Sequence, residues 1–246
     1  MSLPRPDALG ALLLDLDDTI LDDRSGIRAA HERVAGLVVA QRPELDPERF
    51  RRALAEVSAW FWSDAERERE GRLDLTRARY RVVRDALARC DSAGESLAWE
   101  AAELYTRTRE GCYRIADGAL PALARLRARF PRVALVTNGQ AAPQRAKLER
   151  FGLARWFDHV QVEGEFGLGK PEPAVYRHVA AVLGVEPERC LMVGDNFRAD
   201  VLGSLAVGMH AVWIDADGLG TPPAPAPRPH ARASSLAELA ERLLAE

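Results

Sequence analysis

The chain has 246 residues, with 34 lysines and arginines against 37 acidic residues and a formal net charge of −3. This balance and a 47% hydrophobic content are typical of a folded globular protein, and they exclude a dedicated nucleic-acid binder, which carries a strongly basic surface. No apolar run is long enough to span a membrane, and the N-terminus does not resemble a signal peptide. We therefore expect a cytoplasmic protein, monomeric or homodimeric, with neither a membrane nor a nucleic acid polymer as partner.

The first predicted element is a short buried strand, Ala11–Leu14, because four apolar residues without polar alternation are typical of a parallel sheet. It leads directly into the acidic segment Asp15-Leu16-Asp17. Residues 23–114 then show helical spacing only, and we expect about four helices there. Asp46-Pro47 predicts the start of one of them, and Ser25 and Ser96 are predicted helix caps.

From residue 115 onward, strands and helices alternate, as expected for parallel βαβ units. The predicted strands cover residues 132–136, 160–162, 190–193 and 210–214. The predicted helices cover residues 143–151, 173–183 and 199–206, with a last helix after Ser234 or Ser235 that ends near 244. A proline-rich stretch at 218–229 predicts an irregular loop.

The predicted fold class is α/β, with a Rossmann-like doubly wound parallel sheet interrupted by an α-helical cap domain. The core domain is expected to comprise residues 1–22 and 115–246, and the cap residues 23–114. Because the cap follows the first strand directly, it leaves the core beside the two aspartates.

Four polar clusters each follow a predicted strand, at the edge where an open α/β sheet places its functional site. They are Asp15 and Asp17; Thr137-Asn138-Gly139; Lys170-Pro171; and Gly194-Asp195-Asn196 with Asp200. Asp15 and Asp17 lie two residues apart on an extended segment, so their side chains start on the same side and repel each other. A bound divalent cation would remove this repulsion.

In this order and form, the four clusters resemble the motifs of the haloacid dehalogenase-like (HAD) hydrolase superfamily, in the subfamily whose helical cap follows the first strand. The resemblance covers nearly the whole chain. It implies a Mg²⁺-dependent phosphomonoester hydrolase that acts on a small phosphorylated metabolite through an aspartyl-phosphate.

The resemblance also implies roles for individual residues. Asp15 would be the nucleophile and Asp17 the general acid and base. The metal ligands would be the carboxylates of Asp15 and Asp195 and the main-chain carbonyl of Asp17. Thr137, Asn138 and Lys170 would bind the phosphate, with Gly139, Asn196 and Asp200 in support. For Asp200 two roles stay open, orienting Lys170 or supporting the metal shell.

The sequence discriminates within the superfamily. Asp17 argues against dehalogenases, which lack the second aspartate. Phosphonatases form a Schiff base with a cap lysine, but the only lysines here, Lys147 and Lys170, lie outside the cap. P-type ATPases would need a membrane domain. A phosphosugar mutase of the β-phosphoglucomutase type stays open, as does a non-catalytic HAD-fold binding or regulatory protein, although intact motifs disfavour the latter.

The predicted cap offers the clues to substrate. Trp60 and Trp62 are candidates for an aromatic wall against a base or sugar ring, or they pack the cap's own helices. The arginines between residues 67 and 84 are expected mostly on a solvated face. A nucleotide, a sugar phosphate or phosphoglycolate is the expected substrate. Lys147 is expected at the surface.

Overall fold

A computed structural model describes residues 5–218 and 227–244 of the chain. Contacts divide the chain into two compact units. One combines the residues up to Asp22 with those from Arg114 onward, and the other is Asp23–Tyr113. None of the described helices is long and apolar enough to span a membrane. The two units are called here the core unit and the cap unit.

The core unit contains, within the described residues, a six-stranded sheet in the order β5-β4-β1-β6-β7-β8, with every pairing parallel. Its strands are β1 (Ala11–Leu14), β4 (Arg132–Thr137), β5 (His159–Val162), β6 (Cys190–Gly194), β7 (His210–Ile214) and β8 (Ala231–Ala233). Two further short strands, β2 (Leu21–Asp22) and β3 (Arg114–Ile115), pair antiparallel. The sequence patterns predict neither this pair nor β8, because two or three residues carry no detectable period.

The sheet is covered on both faces, which makes it doubly wound as predicted. Along β1, Leu12 and Leu14 belong to one hydrophobic cluster, whereas Ala11 and Leu13 belong to another. Side chains of a strand alternate between faces, so the two clusters lie on opposite sides. Every residue of this strand is fully buried, which explains its uninterrupted apolar sequence.

Three of the four predicted core helices are present, at Ala141–Arg150, Pro173–Leu183 and Leu236–Leu244, whereas the sequence patterns do not predict the helices Ala119–Arg129 and Glu163–Phe166. The core helices are α6 (Ala119–Arg129), α7 (Ala141–Arg150), α8 (Glu163–Phe166), α9 (Pro173–Leu183), α10 (Gly203–Leu205) and α11 (Leu236–Leu244), with 3-10 turns at Pro6–Ala8, Ala154–Trp156 and Pro187–Arg189. The expectation of one helix over 199–206 is wrong, because a π-helix, Phe197–Leu202, precedes α10. Asn196 caps this π-helix, since its Oδ1 accepts a hydrogen bond from Ala199 N at 2.9 Å. Most of the predicted 218–229 loop, residues 219–226, lies outside the described residues.

The cap unit is entirely helical and has five helices in the described chain rather than about four. They are α1 (Arg24–Gln41), α2 (Pro47–Trp62), α3 (Ala65–Leu73), α4 (Leu75–Arg89) and α5 (Glu95–Cys112). Asp46 caps α2 as predicted, accepting a hydrogen bond from Glu48 N at 2.9 Å. Ser25 and Ser96 are not caps, because α1 and α5 start one residue before each of them.

The cap unit has its own hydrophobic core, built from the apolar stripe of α2. Phe50, Leu54, Val57 and Phe61 recur at helical spacing and are all buried. They belong to one cluster with buried residues of α1, α4 and α5. This internal core accounts for a second compact unit within a chain of this length.

Candidate active site

The predicted site residues meet where the central strands end. β1 lies between β4 and β6, with Leu14 in register with Leu135 on one side and Val193 on the other. The carboxyl ends of parallel strands share one edge of the sheet, so Asp15, Thr137 and Asp195 emerge side by side. Ligands of open α/β sheets bind at such an edge.

Lys170 is buried between two carboxylates. Its Nζ lies 2.6 Å from Asp15 Oδ1 and 2.6 Å from Asp200 Oδ1. Its side chain is 2% exposed, and that of Asp200 is fully buried. A buried ammonium is costly unless it is paired, and here two acids provide the pairing. Lys170 is therefore fixed at the strand edge rather than free to sample solvent.

The electrostatics of the cluster follow from burial and charge. Burial raises the pKa of Asp15 well above its ordinary value; Lys170 opposes this rise, and Asp200 and Asp195 add to it. Burial by itself would lower the pKa of Lys170, but Asp15 and Asp200 outweigh it, so the pKa of Lys170 is raised. The surrounding acids thus favour the charged form of Lys170, whereas burial and the neighbouring acids disfavour the charged form of Asp15.

Asp200 is held from two directions. Its Oδ1 accepts from Lys170 Nζ, and its Oδ2 accepts from the main-chain N–H of Asn196 at 2.9 Å. Gly194, the last residue of β6, leaves room for this carboxylate, because a Cβ there would overlap the Asp200 side chain. Both oxygens of Asp200 are therefore engaged within the site, one of them on Lys170.

The donor set of the cluster suits a hard divalent cation. Carboxylate oxygens of Asp15, Asp195 and Asp200 all lie within 4.8 Å of one another. These three carboxylates and the Lys170 ammonium leave a formal charge of −2. Mg²⁺ prefers oxygen ligands and typically takes one or two protein carboxylates with waters and a substrate phosphate. Because Asp200 is engaged on Lys170 and Asn196, Asp15 and Asp195 are the carboxylates best suited to hold it.

Asn138 connects the second and third motifs. Its Nδ2 donates to the Lys170 carbonyl at 2.7 Å, and its Oδ1 accepts from Lys170 N at 2.7 Å. The following residue, Gly139, has a φ of +116°, a conformation that L side chains rarely adopt, and its N–H donates to buried Glu163 at 2.8 Å. The Asn138 side chain therefore holds the backbone of Lys170 in place.

The expectation that Lys147 lies at the surface is wrong. Lys147 is buried, and its Nζ lies 2.8 and 2.9 Å from the two carboxylate oxygens of Asp17. Gln144, one helical turn earlier on α7, donates to the same carboxylate at 3.1 Å and also to the Thr137 hydroxyl. The Asp17 carboxylate is thus held by Lys147 and Gln144 of α7, and the Gln144 amide also contacts Thr137.

Sequence reasoning missed Glu163, Gln144 and Lys147. For the two α7 residues a signal existed, because Gln144 and Lys147 each stand four residues before an apolar residue, Leu148 and Phe151. That spacing places all four on one helix face, which is the buried face if the apolar pair faces the core. For Glu163 the sequence carries no comparable signal.

The two cap tryptophans differ in environment. Trp62 packs edge-on against Phe61, with ring centroids 5.0 Å apart, and borders Gly71 of α3. Trp60 is 47% exposed, and the guanidinium of Arg67 lies 3.9 Å from its ring centroid. Trp62 therefore takes part in packing α2 against α3, whereas Trp60 presents a face to its surroundings. Arg79 departs from the expected solvated face, because it is buried and donates to Thr106 at 2.7 Å.

Known proteins place the chain in a family. A family model described as haloacid dehalogenase-like hydrolase matches residues 9–208. A phosphoserine phosphatase of Thermus thermophilus is 38% identical, over 94% of this chain and 99% of that protein. An N-acylneuraminate-9-phosphatase of Rattus norvegicus is 29% identical, over 93% of this chain and 91% of that protein.

Solved structures show the same fold. The HAD-hydrolase YfnB of Bacillus subtilis, in a structure bound to magnesium, superposes with a TM-score of 0.73 at 23% identity, covering 96% of this chain and 98% of that one. The four motifs, the doubly wound sheet and the sequence relatives all agree. The chain therefore belongs to the haloacid dehalogenase-like hydrolases, and within them it is a hydrolase of phosphoric monoesters.

Proposed function

We propose that the chain is a Mg²⁺-dependent phosphatase for a small phosphorylated metabolite, with Asp15 as nucleophile and Asp17 as general acid and base. The observation that carries this proposal is the contact of Lys170 with Asp15 and Asp200 beside Asp195 at one sheet edge. A fixed cation and a cluster of oxygen ligands at one point suit a phosphate dianion better than a neutral substrate.

In the first step, an Asp15 carboxylate oxygen attacks phosphorus and the bond from phosphorus to the ester oxygen breaks. Asp17 donates its proton to that oxygen, so the alcohol leaves neutral. In the second step, water attacks the same phosphorus, Asp17 takes the water proton, and the bond to Asp15 breaks. Inorganic phosphate and the original carboxylate result, and every proton is accounted for.

The other residues hold and neutralise the transferred group. Lys170 places its charge beside Asp15 at 2.6 Å, where negative charge accumulates on the phosphate oxygens. The Thr137 hydroxyl accepts from Gln144 and makes a long contact of 3.4 Å with the Asn138 carbonyl, and it would donate its proton to a bound phosphate in place of that contact. Asp15, Asp195 and the Asp17 carbonyl would hold Mg²⁺, which would supply positive charge that lowers the repulsion between the phosphate and the carboxylates.

A screen of phosphorylated metabolites for released phosphate in the presence of Mg²⁺ tests this function. The panel should contain nucleotides, sugar phosphates, phosphoglycolate and phosphorylated hydroxy or amino acids, because the relatives include enzymes named for phosphoserine and for N-acylneuraminate 9-phosphate. We expect release from at least one member. An isomerised sugar phosphate without free phosphate would instead identify a mutase.

The nucleophile has its own test. Asp15→Asn should abolish turnover and the acid-stable phosphoprotein intermediate trapped by rapid quenching, because an amide oxygen cannot serve as this nucleophile. Thermal unfolding checks that the variant folds. Turnover near the wild-type rate in Asp15→Asn would refute the assignment.

A further inference from the structure

The buried face of α7 carries an unusual composition. Its buried residues are Gln144, Lys147 and Leu148, so two of the three are polar. Burial of a lysine with 8% of its side chain exposed requires a partner, and Lys147 finds it in Asp17, 130 residues away in the chain. The helix thus meets the site with a charged and an amide side chain, where apolar contacts would suffice for packing alone.

The contact fixes the carboxylate rather than merely neutralising it. Lys147 Nζ reaches both oxygens of Asp17 at 2.8 and 2.9 Å, and Gln144 Nε2 reaches one of them at 3.1 Å. Three contacts from one rigid helix restrict rotation of the carboxyl group about its own axis. The Asp17 side chain is 27% exposed, so it stays accessible to a substrate while it is held.

We propose that Lys147 is a positioning residue for the acid–base steps, and that it sets the orientation from which Asp17 delivers and accepts protons. This inference rests on the proposed role of Asp17. Gln144 extends it, because the same amide contacts the Thr137 hydroxyl and so couples the orientation of the acid to that of a phosphate ligand. General acid catalysis depends steeply on such alignment, since the proton must lie within hydrogen-bond reach of the leaving oxygen.

Leaving-group dependence separates positioning from a structural role. The leaving group of phenyl phosphate needs a proton on its oxygen, whereas that of 2,4-dinitrophenyl phosphate departs as a stable phenolate. Both leaving groups are phenols, which differ only in two nitro groups. In Lys147→Met, we expect phosphoenzyme formation measured by rapid quench to slow about 10- to 100-fold with phenyl phosphate, less than the roughly 10²–10⁴-fold that a general acid contributes, because Asp17 itself is retained. With the dinitrophenyl ester the rate should stay within about twofold, and the dissociation constant of each ester, taken from the concentration dependence of phosphoenzyme formation, should not change.

Two further variants complete the test. Lys147→Arg keeps a cation and should recover part of the phenyl phosphate rate. Arg145→Met, on the same helix, removes an exposed ion pair with Glu165 and should leave both rates unchanged. In an Asp17→Asn background, Lys147→Met should add no further loss, because the residue acts through Asp17.

An equal loss with both esters, or a loss that adds to that of Asp17→Asn, would overturn the inference. If Lys147→Met fails to fold, Lys147→Arg carries the same comparison, since its planar fork cannot reproduce the ammonium contacts. Absence of phosphoenzyme in the wild-type protein would instead refute the proposed function, so the two failures are distinguishable.

Discussion

At the scale of single residues, the site depends on how buried charges are partnered. Lys170 and Asp200 are both buried, and each is held by the other and by a further group of the site. Removing one partner of such a pair costs about 3–5 kcal/mol, because the remaining charge stays buried and uncompensated. Substitutions that keep the charge and change its shape are therefore the more informative tests.

Lys170→Arg should reduce kcat about tenfold or more, although the positive charge is kept. The guanidinium is larger and planar, and the pocket around Lys170, 2% exposed, matches a compact ammonium 2.6 Å from two carboxylates. Steady-state phosphate release measures the effect. Arg145→Lys, the reverse exchange at an exposed position, is the matched control and should retain wild-type activity. Full activity of Lys170→Arg would contradict a role for ammonium geometry.

At the scale of elements, local sequence rules explain most helix and strand positions. Asp46-Pro47 starts α2 because the aspartate accepts a main-chain hydrogen bond and proline has no N–H to satisfy. Ser25 and Ser96 have the same local chemistry but lie inside helices, where earlier residues start the first turn. A capping residue type is thus neither sufficient nor necessary for a helix start, because α1 and α5 begin without a side-chain cap hydrogen bond.

Asp46→Ala should lower the stability of the cap unit by about 1 kcal/mol, because the Glu48 N–H loses its acceptor. Asp46→Asn keeps a side-chain oxygen and should cost only a few tenths of that energy. Urea unfolding followed by tryptophan fluorescence measures this loss, because three of the five tryptophans, Trp60, Trp62 and Trp99, lie in the cap unit. Equal losses in the two variants would show that the hydrogen bond from Glu48 N to the Asp46 side chain contributes nothing measurable to stability.

The packing of α1 against α5 predicts an acid-sensitive cap. The pKa of His31 on α1 is lowered from 6.5 by burial and by Arg109, partly opposed by Glu32, with Tyr105 at a ring distance of 5.5 Å. Below pH 6.5 the unfolded chain binds a proton there more readily than the folded cap, so stability falls as the pH drops. The stability that neutral His31 contributes to the folded cap unit is fully present above this pH.

His31→Gln removes that titration and should flatten the dependence of the unfolding midpoint on pH below 6.5. The pKa of His230 in the core unit is also lowered by burial, so we expect part of the acid sensitivity of the whole chain to persist. Midpoints measured at several pH values decide the question. An unchanged slope in His31→Gln would contradict this assignment.

At the scale of the whole molecule, the candidate site is assembled by topology. Asp15, Thr137, Lys170 and Asp195 come from four separate stretches of the core unit, and the parallel sheet brings the ends of β1, β4 and β6 to one edge. The cap unit interrupts the chain between the first and second of these stretches without interrupting the sheet. Metal binding should therefore report on the core unit.

Saturating Mg²⁺ should stabilise the core unit, by about 2.7 kcal/mol at a concentration one hundred times its Kd. Asp195→Asn should abolish most of this gain, because it removes a charged ligand from the cluster. Asp117→Asn makes the same charge change at a side chain that is 96% exposed and should keep the gain. Equal stabilisation of both variants would refute Asp195 as a metal ligand.

The sequence by itself determined the alternation of elements, the four motifs and their order, because these follow from local periodicity and from the residue types that phosphate chemistry requires. The four motifs taken together also identified the family, which the family model over residues 9–208 confirms. Only the tertiary structure decided the partners of the buried charges. Lys147 stands on a helix of which half the residues are polar by sequence, and its partner Asp17 lies 130 residues away. The cost of burying an unpaired ammonium selects that contact, and this cost exists only once the chain has folded.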